Sequence, residues 1–203
     1  FGSRANFGIR GIKIFVDGIP ETSPDGQTQI DNINLEIIEK IKVYRGNNSS
    51  FFGSSSGGVI SITTLENFDK NFVNIGYSFG SFNTNKTQAT IGINKEDQKM
   101  IFSGSRTKSE GYRNHSSYEN LNFNFKYIRK INQKNKLQIV SNFLDSPDAM
   151  DPGGLNITEV LSERSQARAR NVNYDSREKV KQYKIGFNLL SQINQVKMTN
   201  SLY

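Results

Sequence analysis

Regular alternation of apolar and polar residues dominates the chain after Phe72. In residues 121–127, and again in residues 183–189, Leu, Ile, Phe or Tyr alternates with Asn, Lys or Gly. Successive side chains of a β-strand point to opposite faces, so each such segment predicts a strand with one apolar and one polar face. Seven strands are predicted, at approximately 72–82, 85–94, 98–109, 119–130, 136–145, 180–190 and 195–203.

The length of these segments and the polarity of their second face leave two architectures open. A membrane β-barrel has strands of about 9–11 residues, with an apolar face towards lipid and a polar face towards the lumen. A soluble sandwich also alternates, but it turns its apolar faces towards one core. The period alone does not separate the two.

The connections favour the barrel. Apart from a tight first joint at residues 81–84, short joints (95–98, 131–135 and 191–194) alternate with long ones (110–118 and 146–179). Outer-membrane barrels have short turns on the periplasmic side and longer loops outside. Because bacterial barrels normally have an even number of strands, and plugged ones have about 22, we expect further strands beyond Tyr203.

Composition excludes several classes of protein and site. The 203 residues include no Cys and one His, which argues against disulfides, thiolate metal sites and His-based zinc sites, so no metal or cofactor is expected. No apolar run approaches the ~20 residues of a transmembrane helix. The net charge of +7 is spread along the chain rather than clustered, which argues against nucleic acid. No spacing of a hydrolytic triad surrounds His115, so no enzyme activity is expected.

Residues 1–66 follow a different pattern of short mixed elements. The sequence predicts a strand at Ile12–Val16, one or two helical turns within 33–39 and a second strand at 41–44. It further predicts a tight turn at 24–26, a short helix at 47–52 and a third strand that starts at 57–58. This half is therefore expected to be a small α/β unit.

Several spaced motifs in this half resemble one family. They are residues 1–11 leading into 12–20, then 24–27, 38–46, 52–53 and 57–60. In this order they resemble the C-terminal part of the plug domain of TonB-dependent outer-membrane receptors, and the segment after Phe72 resembles the first barrel strands of those receptors. Residues 152–155, Pro-Gly-Gly-Leu, are similar to ferric-citrate-type members. Asn47 departs from the family, which often has Pro after the Arg-Gly pair.

The resemblance implies a fold class and a domain division. The expected fold is an α+β plug fragment (residues 1–66) followed by antiparallel transmembrane β-barrel strands (residues 67–203) of an incomplete barrel. It also implies location in the outer membrane, contact with outer-membrane lipid, and energy supplied by the TonB complex through a segment before Phe1.

The function implied by the resemblance is import of an iron chelate, a ferric siderophore or ferric citrate, by rearrangement of the plug without bond chemistry. Three alternatives remain: import of cobalamin, haem or a glycan; signal transduction by the same architecture; and a soluble β-rich binding module.

Candidate site residues fall into two groups. Ligand-binding candidates are Arg164, Arg168, Arg170 and Arg177 in the last long joint, with Gln27 and Gln29 in the plug, because guanidinium groups bind anionic chelates well. A solvated loop that merely carries charge is an equally good interpretation of the arginines. Plug structural and plug–barrel contacts are expected at Arg10, Asp17, Glu39, Arg45, Gly46, Gly57 and Gly58. The resemblance implies that Arg45 faces acidic residues of the barrel wall.

Aromatic residues on the predicted strands are interpreted as lipid-facing or interfacial. They are Phe72, Tyr77, Phe79, Phe123, Phe125, Tyr127, Tyr183 and Phe187.

Overall fold

The computed structural model describes residues 11–21, 28, 33–46, 52, 55 and 57–203, and it contains two β-sheets. The small sheet consists of β1 (Ile12–Val16), β2 (Ile19–Pro20), β3 (Ile38–Arg45) and β4 (Gly58–Thr64), in the order β2-β1-β4-β3. The large sheet consists of β5 (Phe72–Gly80), β6 (Thr84–Lys95), β7 (Gln98–Ser109), β8 (Tyr118–Lys130), β9 (Asn135–Met150), β10 (Arg177–Ile193) and β11 (Val196–Leu202). We call the small sheet with its connections the plug, and the large sheet the wall.

The plug is built around a parallel pair, β1 with β4, and β3 is antiparallel to β4. A two-residue turn joins β1 to β2, with Asp17 at φ 51° and Gly18 at φ 81°. Two successive positive φ angles define the hairpin turn that Asp-Gly favours. The strands predicted at 12–16, 41–44 and after 57 are therefore confirmed.

The prediction of one or two helical turns within 33–39 is confirmed in part. Only Leu35–Ile37 form a 3₁₀ turn, begun by the side chain of Asn34, which accepts a hydrogen bond from the amide of Glu36. From Ile38 onward the backbone pairs with β4, so Glu39 belongs to β3. The predicted helix at 47–52 and the predicted turn at 24–26 lie outside the described residues, apart from Phe52.

The wall is an antiparallel meander in which every strand pairs with its sequence neighbours, from β5 at one edge to β11 at the other. All seven predicted strands are present. The longest joint, however, spans 151–176 rather than 146–179, because β9 continues past Pro147. A register shift on each neighbouring strand leaves Pro147 out of the ladder, so its missing N–H costs no hydrogen bond.

Short helices occupy this long joint: α1 (Ile157–Ser162) and α2 (Ala169–Asn173). None of the helices in the described residues is long and apolar enough to span a membrane. The loops 110–117 and 151–176 lie at one end of the strands, which we call the loop end. The short connections at 96–97, 131–134 and 194–195 lie at the other, the turn end.

The two faces of the wall have inverted polarity compared with a soluble protein. On the inner face, which contacts the plug, polar side chains are buried: Ser103, Asn122, Lys126, Gln138 and Asn188 are 2–6% exposed. On the outer face large apolar side chains are exposed, such as Ile75 (78%), Phe79 (85%) and Tyr183 (71%). A sandwich core would require the reverse, so the wall has the polarity of a membrane barrel.

One aromatic assignment is wrong. Phe72 pairs with Gly92 on the inner face, and its ring fills the space that a Cβ of Gly92 would occupy, at 2.0 Å from Cε1. Phe72 packs edge-to-face on Phe68, with ring centroids 5.2 Å apart. The register puts the other aromatic residues predicted to face lipid on the outer face.

Cross-strand register divides the outer face into rows. A charged row at the loop end contains Thr87, Arg106, Leu121, Asp145 and Lys181 as successive partners, and a row at the turn end contains Lys95, Gln98, Arg129, Leu137, Leu189 and Asn200. Between them every row is dominated by Ile, Val, Phe, Tyr and Leu. From Gln98 to Arg106 the band is about 27 Å along the strand. At a tilt of 35–45° it is about 20 Å tall, close to the ~25 Å apolar band of outer-membrane barrels.

An exposed position in the middle of this band separates the two architectures experimentally. We expect Ile185→Arg to destabilise the folded protein by about 2–4 kcal/mol in lipid vesicles, because the charge would enter hydrocarbon. Asn200→Arg, exposed on the same face but at the edge of the band, is expected to cost about 0–1 kcal/mol. Urea titration of the protein expressed from its complete gene, folded into vesicles, measures both. Equal costs would mean that this face meets water.

Candidate functional site

The turn between β1 and β2 is the centre of the contact between plug and wall. The carboxylate of Asp17 accepts hydrogen bonds from the backbone amide of Thr64 (2.9 Å) and from Lys126 Nζ (2.7 Å). The carbonyl oxygen of Asp17 accepts hydrogen bonds from Gln138 Nε2 (3.1 Å) and Asn188 Nδ2 (2.8 Å). One plug residue thus contacts β8, β9 and β10 of the wall as well as β4 of its own sheet.

The ion pair between Lys126 and Asp17 is buried, with the two side chains 5% and 4% exposed. Lys126 Nζ also donates to the carbonyl oxygen of Thr64 at 3.0 Å and contacts its hydroxyl at 3.3 Å. These partners satisfy the ammonium group. Removing one member of such a pair leaves an uncompensated charge, which is far more costly than losing an exposed pair.

A second contact lies on β10, the same strand that supplies Asn188 to Asp17. Lys184 of β10 forms an ion pair with Glu21, whose side chain is 2% exposed. Next to it Ile19, fully buried, packs against Gly186. A Cβ at Gly186 would lie 2.6 Å from Ile19 Cγ1, so only glycine at this inner-face position lets the hairpin approach the wall.

The plug also contacts the wall through the 3₁₀ turn and through the linker to β5. Asn34 Nδ2 donates to Ser103 Oγ at 3.0 Å, and Glu36 pairs with Lys86. Glu66 lies 3.4 Å from Lys136 Nζ. In each of these ion pairs the plug supplies the carboxylate and the wall supplies the lysine, which is opposite in sign to the expected contact of Arg45 with wall acids.

Glu39 holds the linker rather than the wall. Its Oε2 accepts hydrogen bonds from the amides of Glu66 (2.7 Å) and Asn67 (3.0 Å), and its Oε1 accepts one from the side chain of Asn67. Partial burial opposes ionisation, but these hydrogen bonds prevail and lower the pKa of Glu39 below its ordinary value of 4.5. The carboxylate therefore fixes the start of the linker at neutral pH.

A small cavity lies between plug and wall. Val16 and Ile37 of the plug face Ile101, Val140 and Asn142 of the wall across about 40 Å³. This space has room for a few water molecules but not for a metal chelate. Passage of any larger molecule along this side therefore requires the plug to move.

The two long loops are joined at the loop end by one arginine. Arg113 donates to the carbonyl oxygens of Pro152 (3.1 Å), Gly153 (2.6 Å) and Gln166 (2.9 Å). Three backbone acceptors on loop 151–176 therefore converge on one guanidinium of loop 110–117. This contact fixes the positions of the two loops relative to each other at the loop end.

The four arginine candidates lie in this loop region but in different environments. Arg164, Arg168 and Arg170 are exposed, and Arg170 lies over the ring of Tyr174 at 5.9 Å from the centroid. Arg177 begins β10 and pairs with Asp148 (2.9 Å) and Asp175. The hydrogen bond from Arg177 lowers the pKa of Asp175. Arg177 is thus already occupied by two carboxylates, whereas the other three present their guanidinium groups to solvent.

The remaining candidates are placed as follows. Gln27, Gln29 and Arg10 lie outside the described residues. Arg45 ends β3 and is exposed, and Gly46 follows it at φ 86°. Gly57 donates its amide to the carbonyl oxygen of Gly11 at 2.8 Å. Gly58, at φ 134°, lies so close to β3 that a Cβ would be 2.5 Å from the carbonyl oxygen of Tyr44.

Sequence reasoning missed the wall partners of the plug: Lys126, Gln138, Lys184, Gly186 and Asn188. Each occupies the polar face of an alternating strand, where Lys, Gln and Asn have no distinguishing signal. Only Gly186 breaks the pattern of long polar side chains, in Tyr-Lys-Ile-Gly-Phe at 183–187. Arg113 was missed because its acceptors are backbone groups about 40 residues or more away.

The fold and the site together define a class: a β-sheet with a lipid-facing outer surface, whose polar inner face is occupied by a plug. In agreement, residues 1–60 match the family model "TonB-dependent Receptor Plug Domain". The resemblance to TonB-dependent receptors is confirmed, and the outer membrane is the location of the protein.

Solved structures with the same fold are transporters and receptors. The ferric citrate transporter FecA, in its unliganded form, matches with a TM-score of 0.73 at 20% identity, over 91% of this chain and 30% of that one. The copper transporter OprC matches with a TM-score of 0.70 at 16% identity, over 96% of this chain and 30% of that one. The siderophore receptor PirA from Acinetobacter baumannii matches with a TM-score of 0.68 at 15% identity, over 96% of this chain and 32% of that one. The chain thus spans about a third of the length of these proteins.

The buried ion pair is expected to carry more of the plug–wall binding energy than any exposed pair. Lys126→Met should lower the free energy of opening at β1 and β4 by about 3–5 kcal/mol, because Asp17 stays buried without its partner. Lys181→Met, which removes the more exposed pair with Asp145 (58% and 30% exposed), should cost at most about 1 kcal/mol. Native-state hydrogen exchange followed by mass spectrometry measures both. Equal effects would contradict a central role for Lys126.

The hydrogen bonds that Glu39 accepts predict that the protection of the linker amides of Glu66 and Asn67 depends on pH. Because the folded state lowers the pKa of Glu39, the stabilisation is complete above pH 4.5 and is lost as the pH falls through the lowered pKa. Glu39→Gln should reduce the protection of the Glu66 and Asn67 amides at pH 7, and the difference from the unsubstituted protein should shrink towards pH 3. Protection factors corrected for intrinsic exchange report this. Glu178→Gln, at the loop end, is the control and should leave these amides unchanged.

Proposed function

We propose that this protein imports an iron chelate, a ferric siderophore or ferric citrate, across the outer membrane by rearrangement of its plug. The observation that carries the proposal is the interface between Asp17 and the wall. The plug is held by hydrogen bonds and ion pairs to a polar inner face, beside a small apolar contact of Val16, Ile19 and Ile37 with the wall. Such polar contacts can be exchanged for water when the plug moves.

The close packing of the plug against the wall supports a gated route. The cavity of about 40 Å³ between plug and wall is far too small for a chelate. Import along this side must therefore include a step that moves the plug away from the wall, and that step needs external work because it breaks the buried pair of Lys126 with Asp17. The TonB complex of the inner membrane is the energy source implied by the family.

The loop end supports capture of an anion. Arg164, Arg168 and Arg170 are exposed, and they belong to a loop shaped by the contacts of Arg113. Ferric citrate and many ferric siderophores carry carboxylates or net negative charge, and guanidinium groups bind carboxylates through paired hydrogen bonds. A transporter for ferric citrate, FecA, is among the solved structures with this fold, which supports the same ligand class.

Uptake measurements test the function. Cells that lack their own iron-chelate receptors but produce this protein from its complete gene should accumulate ⁵⁵Fe from ferric citrate or a ferric siderophore. Accumulation should require the inner-membrane TonB complex. If haem, cobalamin, a glycan or cupric ion is taken up instead, the ligand class proposed here is wrong. If no such ligand is taken up, the proposed function is wrong.

The arginines provide a sharper test of ligand capture. Replacing Arg164, Arg168 and Arg170 by Ser should raise the Kd for the imported ferric chelate at least tenfold, since charge-assisted hydrogen bonds contribute about 1.5–3 kcal/mol each. Replacing Arg129, Lys130 and Lys134 by Ser removes the same charge at the turn end and should leave Kd unchanged. Calorimetry on the purified protein compares the two. Equal Kd values would mean that the arginines only solvate the loop.

A further inference from the structure

The linker that joins the plug sheet to the wall carries an acid that lies beside the buried ion pair. Glu66 Oε2 is 3.6 Å from Lys126 Nζ, which is itself 2.7 Å from Asp17 Oδ1. A distance of 3.6 Å is too long for a hydrogen bond but short enough for an ion pair. Lys126 thus has one carboxylate in full contact and a second one within reach.

The two carboxylates belong to different parts of the molecule. Asp17 lies in the turn between β1 and β2, so it leaves the wall when the plug sheet moves. Glu66 lies just after β4, at the start of the linker to β5. Lys136 of β9 is 3.4 Å from the same oxygen of Glu66, so a wall residue holds this side chain independently of Asp17.

The backbone of the linker is also held by the wall. Lys99 of β7 donates to the carbonyl oxygens of Glu66 (3.1 Å) and Phe68 (2.9 Å), and its Nζ lies over the ring of Phe68, 4.9 Å from the centroid. Asn94 of β6 donates to the carbonyl oxygen of Asp69 at 2.9 Å. None of these contacts requires the plug sheet, so they keep Glu66 on the wall while that sheet moves.

We infer that Glu66 takes over Lys126 when Asp17 leaves, so that the lysine keeps a carboxylate partner throughout the movement of the plug. Nζ must move by only about 1 Å, from 3.6 Å to the ~2.8 Å of a charge-assisted hydrogen bond. The flexible four-carbon stem of lysine permits such a shift. This exchange rests on the plug rearrangement proposed above, but not on the identity of the ligand.

The exchange lowers the work that plug movement requires. A buried charge that loses its partner is strongly destabilising, and the side chain of Lys126 is only 5% exposed. With Glu66 beside it, the lysine is not left uncompensated, and only Asp17 must gain water as it moves. Glu66 therefore stabilises the separated state of the plug more than the docked one.

Hydrogen exchange separates this role from that of an ordinary linker contact, because the two predict different signs. The test uses purified, ligand-free protein from the complete gene in lipid vesicles. Glu66→Gln should raise the protection factors of the β1 and β4 amides about fivefold, because opening would then leave Lys126 without a carboxylate. If Glu66 only fastens the linker, protection will fall or stay unchanged, and that result would overturn the exchange.

A matched control makes the same chemical change in a pair whose acid moves with the plug. Glu36→Gln removes the pair with Lys86, in which the two side chains are 32% and 29% exposed. This variant should lower the protection of β1 and β4, by at most about fivefold, because it removes a contact of the docked state alone. A rise as large as that of Glu66→Gln would mean that the loss of any plug acid has this effect. Heat-modifiable electrophoretic mobility shows that each variant is folded.

A double-mutant comparison separates exchange from simple repulsion between the two acids. Repulsion of Asp17 by Glu66 would also make Glu66→Gln protective, but its effect would grow once the lysine between them is removed. Exchange predicts the reverse, because Lys126→Met leaves no cation to take over. Glu66→Gln should therefore raise protection less in the Lys126→Met background than in the unsubstituted protein. An equal or larger rise there would overturn the exchange.

A crystal structure of the Asp17→Asn variant tests the exchange without moving the plug. The hydrogen bonds from Gln138 and Asn188 to the backbone carbonyl of residue 17 remain, so the turn stays in place. Because an amide cannot neutralise Lys126, its Nζ should move to about 2.8 Å from Glu66 Oε2. A distance that stays at 3.6 Å or lengthens would overturn the exchange. All these measurements are made without ligand, so such a failure would leave the uptake test of the import function unaffected.

Discussion

The contact of Asp17 with the wall is the interaction on which the position of the plug depends. The wall presents buried amides and an ammonium group on its inner face, and each of them needs a partner once water is excluded. The turn between β1 and β2 supplies two kinds of acceptor from one residue, a carboxylate and a carbonyl. The positive φ of Asp17 and Gly18 makes the turn tight enough to reach three strands at once.

The wall could be predicted well from its sequence because one physical rule governs it. Alternation fixes which side chains share a face, and inverted polarity follows from the chain having lipid outside and a polar interior. The assignment of Phe72 to lipid was wrong because it departed from this rule: Phe72 has the parity of Asn74 and Gly76, which is the inner face, and Gly92 opposite it leaves room for its ring. Local geometry overrode the expected strand end at Pro147, since β9 extends past it where bulges on both sides remove the need for its N–H.

The candidate site could be predicted only in part. Asp17 and Glu39 were identified as plug contacts, but their partners were not, since Lys126 lies 109 residues from Asp17 and resembles every other polar-face lysine. It could also not be predicted from single residues that the plug supplies the carboxylate of each ion pair and the wall supplies the lysine. An acid on the plug is distinguishable from a solvated acid only when the register of β8 and β10 shows which lysines face inward. Pairing over such distances is a property of the fold, not of any local pattern.

The graded burial of the plug–wall contacts has a consequence for how the plug can move. Exposed hydrogen bonds exchange with water at little net cost, so partly exposed contacts such as Glu36 with Lys86 oppose motion weakly. The pair of Asp17 with Lys126 is different, because separating its members without hydration leaves two buried charges. A force applied to the plug therefore breaks the contacts at its periphery before the contact at the hairpin. Among the plug–wall contacts of the described residues, we therefore expect the one that faces β8–β10 to separate last.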